Sequence, residues 1–268
     1  MSDANKPYGL LNQLSGIEET RSPERQRHLP ASTAFAWLAA GWRDLMVAPG
    51  LSLAYGLSVF IVSIGSVWTM FALGWDYILF PALAGFMIVA PAVAVGLYAK
   101  SRAIEEGEVP TLGGMLRVKP SAGAQIFFTG VLLCLLMLLW MRAAVLLYAL
   151  FFGVRPFPGL DHIVGMLFTT PMGLAMLVVG TLVGGLFAAF GFAISVFSVP
   201  MLLDQRTDAL TAMASSMAIV WNNLQPMILW GAVVLALFAV SVATALVGLI
   251  VIFPLLGHAT WHAYKSMR

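Results

Sequence analysis

Residues 226–264 read PMILWGAVVLALFAVSVATALVGLIVIFPLLGHATWHAY and contain no Asp, Glu, Lys or Arg. As one straight helix this block would be about 58 Å long at ~1.5 Å per residue. A bilayer has only ~30 Å of hydrocarbon to cross. The block is therefore expected to fold back around residues 243–248 into two spans. One tilted or kinked helix is the competing reading.

Outward from this block, apolar runs near 51–73, 78–99, 123–150 and 171–199 each reach the length that crosses a bilayer. Folding back thus gives six spans, and a single last helix gives five. Composition agrees with a membrane class: the 268 residues are 60% hydrophobic and 10% charged, with a mean hydropathy of +0.92. A soluble domain carries about a quarter charged residues. The net charge of +2 and the lack of an arginine-rich arm give no footprint for nucleic acid. Cys134 is the only cysteine, so no disulfide framework or CxxC knuckle exists. The first residues are polar, without a signal-peptide pattern, and residues 1–31 read as a disordered cytoplasmic tail.

Three stretches resemble one another: GFMIVAPAVAVGLYAKSR (85–102), GFAISVFSVPMLLDQR (191–206) and GLIVIFPLLGHATWHAYKSMR (248–268). Each runs from glycine through an apolar segment and a proline to a charged exit. Shorter helical patterns precede the hairpins. In residues 32–46, Phe35, Leu38, Trp42 and Leu45 recur at helical spacing after Ser32, a good N-cap residue. In residues 207–224 the stripe is Leu210, Met213, Met217, Val220, Trp221 and Leu224, with Asp208 in the first turn. A shorter version covers 112–118. The expected fold is an all-α integral membrane protein with six transmembrane helices in a domain over 32–268. Its three tandem units, each an amphipathic helix plus a hairpin, cover about 32–104, 105–206 and 207–268.

With six spans, nearly all lysines and arginines fall on one side, Arg155 on the other, and Arg142 within a span. The positive-inside rule then puts both termini in the cytoplasm.

Intramembrane charge is costly and commonly faces a partner or cavity. Arg142 is accordingly a candidate polar site, with Asp161 as counter-ion and His162 beside it. A snorkelling arginine in an aromatic belt is the alternative. Gly180, Gly184 and Ala188 form a small-residue ladder suited to close helix packing. His258 and His262 share a helix face and are candidate metal ligands, but a zinc site wants at least three protein ligands. No third ligand is evident from the sequence, so interfacial packing competes. The sequence contains no HExxH, no nucleophile elbow, no P-loop and no dinucleotide fingerprint. A non-enzymatic protein without cofactors is expected.

GWRDLMVAPGLSLAYGL, GFMIVAPAVAVGLYAKSR, SVPMLLDQRTDALTAMASS and PLLGHATWHAY together resemble an uncharacterised family of bacterial integral membrane proteins, catalogued as a domain of unknown function. The resemblance implies a six-span protein of the bacterial inner membrane, embedded in the lipid bilayer. Some members carry the label cytochrome c oxidase subunit I. A haem–copper core needs histidine ligands spread over several spans, more than this chain places there. A role beside a respiratory complex stays open. The functional expectation is a scaffold or accessory factor of a membrane complex. The alternatives are a small-solute or ion transporter and a metal- or haem-binding respiratory accessory subunit.

Overall fold

A computed structural model describes residues 29–116, 123–153 and 157–268. The described elements are helical: α1 Thr33–Met46, α2 Pro49–Ala72, a 3₁₀ turn Asp76–Ile78, α3 Leu79–Val93, α4 Val95–Glu105, α5 Leu112–Leu116, α6 Ala124–Phe152, α7 Leu160–Thr169, α8 Pro171–Ser195, α9 Ser198–Asp204, α10 Ala209–Asn222, α11 Leu224–Ala243 and α12 Leu249–Met267. Five runs are long and apolar enough to cross a membrane: Pro49–Ala72, Asp76–Glu105, Ala124–Phe152, Pro171–Asp204 and Leu224–Ala243. The last arm, α12, is helical throughout, but His258, Thr260, His262 and Lys265 make it more polar than these five. Of the expected tail over 1–31, residues 1–28 lie outside the described residues. Leu29 already packs against the core.

The apolar block over 226–264 breaks where expected, between Ala243 and Leu249. Ala245 (φ 51°) and Leu246 (φ 68°) take left-handed backbone there, a conformation that costs about 1–2 kcal/mol per non-glycine residue. The turn offsets this by satisfying itself. Every backbone N–H from Thr244 to Ile252 donates within the turn or to an adjoining helix end, Gly248 through the Thr244 hydroxyl.

Two spans are broken near a proline, which removes a helical donor. The α3–α4 break falls at Ala94, three residues after Pro91, and the Tyr55 hydroxyl donates to the Val93 carbonyl at 2.6 Å. The α8–α9 break falls at Val196 and Phe197, ahead of Pro200. Ser216 on α10 bridges it, donating to the Ala193 carbonyl at 2.7 Å and accepting from the Phe197 N–H at 3.1 Å. Pro254 leaves α12 unbroken.

Helices α1, α2 and α4 surround α12. A Cβ on Gly41 would sit 2.6 Å from the Ala259 nitrogen, and one on Gly56 would collide with the Ile250 carbonyl. Such close approach is how small residues hold membrane helices together without a hydrophobic driving force. Ser52 meets His258 and Gly56 meets Ile250 and Pro254, so α12 runs antiparallel to α2. Gly56 is only about two turns into α2, and α2 continues about 24 Å beyond it at ~1.5 Å per residue. Residues 61–72 include no buried side chain. The α11–α12 turn therefore lies well short of the far end of α2.

Burial is lopsided along the bundle. All of Ser198–Leu203 and most of α12 are buried, whereas α6 buries only Thr129 and Leu133. The well-packed end carries Arg43, Lys100, Arg102, Arg206, Lys265 and Arg268, and is called the basic end below. The far end carries half-exposed Trp75 and Tyr77, residues typical of a headgroup belt.

The apolar stripes of the two amphipathic helices are divided, with Leu45 on α1 and Met213 and Val220 on α10 buried. Phe35 and Trp42 on α1, and Leu210, Met217 and Trp221 on α10, point outward. The buried faces use Ala34, Trp37, Ala40, Gly41, Asp44 and Leu45, and Ala209, Ala212, Met213, Ser216, Ile219 and Val220. Each helix thus packs on protein through a face that mixes small residues with a few large ones, Trp37 and Leu45 on α1 and Met213, Ile219 and Val220 on α10. Ser32 makes no cap hydrogen bond. Asp208 does cap α10, accepting from the Thr211 N–H at 2.9 Å. Those hydrogen bonds hold its carboxyl below the ordinary range. The third short helix is described as Leu112–Leu116, and residues 117–118 of that reading lie outside the described residues.

Candidate functional site

At the basic end, four helices bring polar side chains into one buried chain. Asp44 ends the inward face of α1, Ser52 lies in the first turn of α2, Lys100 and Ser101 lie on α4, and His258 and His262 lie on α12. Lys100 is 1% exposed and His258 fully buried. Buried polar groups are tolerated only when hydrogen-bonded, and here each finds a partner.

Chemistry fixes the order of donors. An ammonium only donates, so Lys100 Nζ donates to Ser52 Oγ at 2.6 Å and to the Ala48 carbonyl at 3.4 Å. That leaves the Ser52 hydroxyl proton for His258 Nε2, 2.9 Å away. A carboxylate only accepts, so Ser101 gives its proton to Asp44. Ser101 Oγ therefore accepts from His258 Nδ1 at 2.8 Å. His262 Nε2 donates to Asp44 Oδ2 at 2.8 Å. The chain from Lys100 to Asp44 runs in one direction and assigns His258 as the neutral Nδ1–H tautomer.

Two charges anchor the chain, a cation at Lys100 and an anion at Asp44. Burial works to raise the Asp44 pKa, but hydrogen bonds from His262 and Ser101 and the charge on His262 outweigh it. The carboxyl is held below its ordinary value. Lys100 also stabilises the α1–α2 corner, because Ala48, whose carbonyl it holds, has left-handed backbone at φ 49°.

A second layer closes the rim. Glu105 accepts from Trp261 Nε1 at 3.0 Å and pairs with Lys265 at 3.0 Å. Asp204 accepts from the Tyr264 hydroxyl at 2.8 Å and pairs with Arg268. Arg102 donates to the Leu203 carbonyl at 2.9 Å and pairs with Glu106. The Lys100 end of the buried chain borders a cleft of about 290 Å³ lined also by Arg102, Glu106 and Thr111. At the other end, His262 is about one-third exposed. Both ends lie at the basic end, so the chain crosses the bundle at one depth and makes no path through a membrane.

Of the residues singled out in the sequence, His258 and His262 do belong to one cluster. Their partners Asp44, Ser52, Lys100 and Ser101 were missed, although a lysine and an aspartate at the ends of apolar helices were a usable signal. Both ring nitrogens of His258 are engaged by hydroxyls, and His262 Nε2 by a carboxylate. Among the described residues no group of three metal-ligating side chains forms. Arg142 is exposed on α6 and lines neither of the two cavities. His162 is exposed on α7. The Asp161 backbone belongs to α7, and its side chain lies outside the description. Gly184 packs on the Trp140 ring, where a Cβ would come within 3.0 Å, while a Cβ on Gly180 would meet nothing. Ala188 lines an apolar cavity.

Residues 79–204 match the family DUF2189, described as a predicted integral membrane protein. This chain is an integral membrane protein, and its residues 79–204 are similar to that family. No curated protein and no solved structure matches it. The DUF2189 match begins at α3 and ends with α9, so it includes Lys100 and Ser101 and stops before the α12 histidines.

Proposed function

We propose that this protein is a non-enzymatic accessory or scaffold subunit of a membrane complex, with its basic end in the cytoplasm and its chain arranged as three units of short helix plus hairpin. The observation that carries the reading is the lopsided burial. The basic end is closed by mutually satisfied polar groups, while the far halves of α2, α6 and α8 hold almost no fully buried side chain. Monomeric membrane bundles hold their helices through small-residue contacts; here the face at Gly180 is left open. The element order supports the three units, because a short helix precedes two long helical runs three times. Reversal of α11 into α12 returns the chain end to the basic end, which supports both termini lying on one side.

The transporter alternative is less well supported, because Arg142 lines neither the apolar cavity nor the Lys100 cleft and the buried polar chain stays at one depth. Metal or haem ligation would require breaking the hydrogen bonds of His258.

The test is photo-crosslinking in cells from Leu146 on α6 and Leu182 on α8, both well exposed, with Trp261, buried in the core, as control. The expected result is a discrete crosslinked membrane protein from the first two positions. Crosslinks to lipid alone would overturn the proposal.

A further inference from the structure

Between α3, α8, α11 and α12 lies a cavity of about 140 Å³ whose walls are almost wholly apolar. Its aromatic wall includes Phe86, Trp140 and Phe253. An apolar cavity of roughly 150 Å³ stays dry and accepts hydrocarbon. This one is bounded by membrane-crossing helices, so the surrounding solvent is itself hydrocarbon.

The lining has a polarity gradient. Three helical runs descend through it towards the basic end, and each carries its polar lining residue late in the run. The α3–α4 run goes from Ala84 to Tyr98, α8 from Gly184 to Ser195, and α12 from Leu249 to Thr260. Three hydroxyls from three elements thus mark one end of an otherwise oily slot. The α12 portion is about 16 Å long at ~1.5 Å per residue, close to half of a ~30 Å hydrocarbon core.

We infer that this cavity seats a segment of one acyl chain of a bilayer phospholipid from the leaflet at the basic end. That segment packs on the aromatic wall, and the rest of the chain lies in the bilayer outside the cavity. The glycerol ester region lies at Tyr98 and Ser195, whose hydroxyls offer donors to ester carbonyls, beside Thr260, whose own hydroxyl donates to the Leu256 carbonyl at 2.8 Å. A water-soluble ligand does not fit such a lining, because its polar groups would lose their hydrogen bonds to water. A wholly apolar ligand would leave the hydroxyl end unused.

The full-length protein is washed extensively in detergent and its retained lipid measured by native mass spectrometry and phosphate analysis. Wild type is expected to hold about one phospholipid per chain. Ala188→Phe, which fills the cavity, should reduce this at least fivefold, and Ile228→Phe, on the exposed face of α11 away from the cavity, should leave it unchanged. Wild type that retains no phospholipid, an isoprenoid in its place, or equal retention in both variants would overturn the site. Should Ala188→Phe fail to fold, wild type is labelled with a phospholipid carrying a diazirine on its acyl chain. Labelled peptides containing Phe86 or Phe253 support the site, and labels confined to other segments refute it.

Discussion

Asp44 on α1 and His262 on α12 stand 218 positions apart in sequence and meet at 2.8 Å. The contact ties the first helix of the described chain to the last, and Asp44 also accepts from Ser101 on α4. Removing it strands two donors at once. A hydrogen bond to a charged group contributes about 1.5–3 kcal/mol. Asp44→Ala should therefore lower stability by about 2–3 kcal/mol, and Asp44→Asn, which keeps an acceptor, by less. Thermal unfolding in detergent followed by circular dichroism measures this, and an unchanged midpoint for Asp44→Ala would refute it.

The same carboxyl sets a pH dependence. Its folded pKa lies below the ordinary carboxylate value, so its contribution is complete above about pH 4. It is lost as pH falls through the depressed folded value. Wild type should lose stability on this acid limb, and Asp44→Asn should show a shallower one. Parallel limbs for the two proteins would show that Asp44 is not the group responsible.

The all-helical membrane class, the break at 243–248 and the short helices Thr33–Met46 and Ala209–Asn222 were legible because they depend on periodicity and on length against bilayer thickness. The buried chain was not. Asp44, Ser52, Lys100 and Ser101 come from three helices, and nothing local says which faces will meet.

The glycines separate contact from mere presence. Gly41→Ala would press a Cβ against the Ala259 backbone, whereas Gly180→Ala would meet nothing within 4 Å. Overpacking typically costs about 1–3 kcal/mol, and alanine in an open helical position gains up to about 1 kcal/mol over glycine. Gly41→Ala should lower the unfolding temperature and Gly180→Ala should hold or raise it. The opposite order would show that α1 is not seated on α12 as described.

Ser216 makes its own prediction, since one buried hydroxyl serves both sides of the α8–α9 break. Ser216→Ala leaves the Phe197 N–H and the Ala193 carbonyl without that partner, at about 1–3 kcal/mol for an unsatisfied buried group. The local readout is hydrogen exchange at Phe197, which should accelerate in the variant while amides of α12 stay protected. Exchange unchanged at Phe197 would mean the break is held by something else.

The turn at 244–248 is unlike the corner at Trp75 and Tyr77, which places aromatic residues where headgroups are expected. Its residues are uncharged, its backbone donors need no water, and the Gly56–Ile250 contact sets it far below the end of α2. Irregular backbone survives in hydrocarbon only when its polar groups are satisfied internally. These conditions predict that the turn stays within the membrane. Cys134 is the sole cysteine, so a Cys134→Ser background allows single reporters. Ala245→Cys should resist a membrane-impermeant maleimide from both sides, while Tyr77→Cys reacts from one side and Ser266→Cys from the other. Labelling of Ala245→Cys from the Tyr77 side would make α11 and α12 two full spans, and the depth read from Gly56 would then reflect helix tilt.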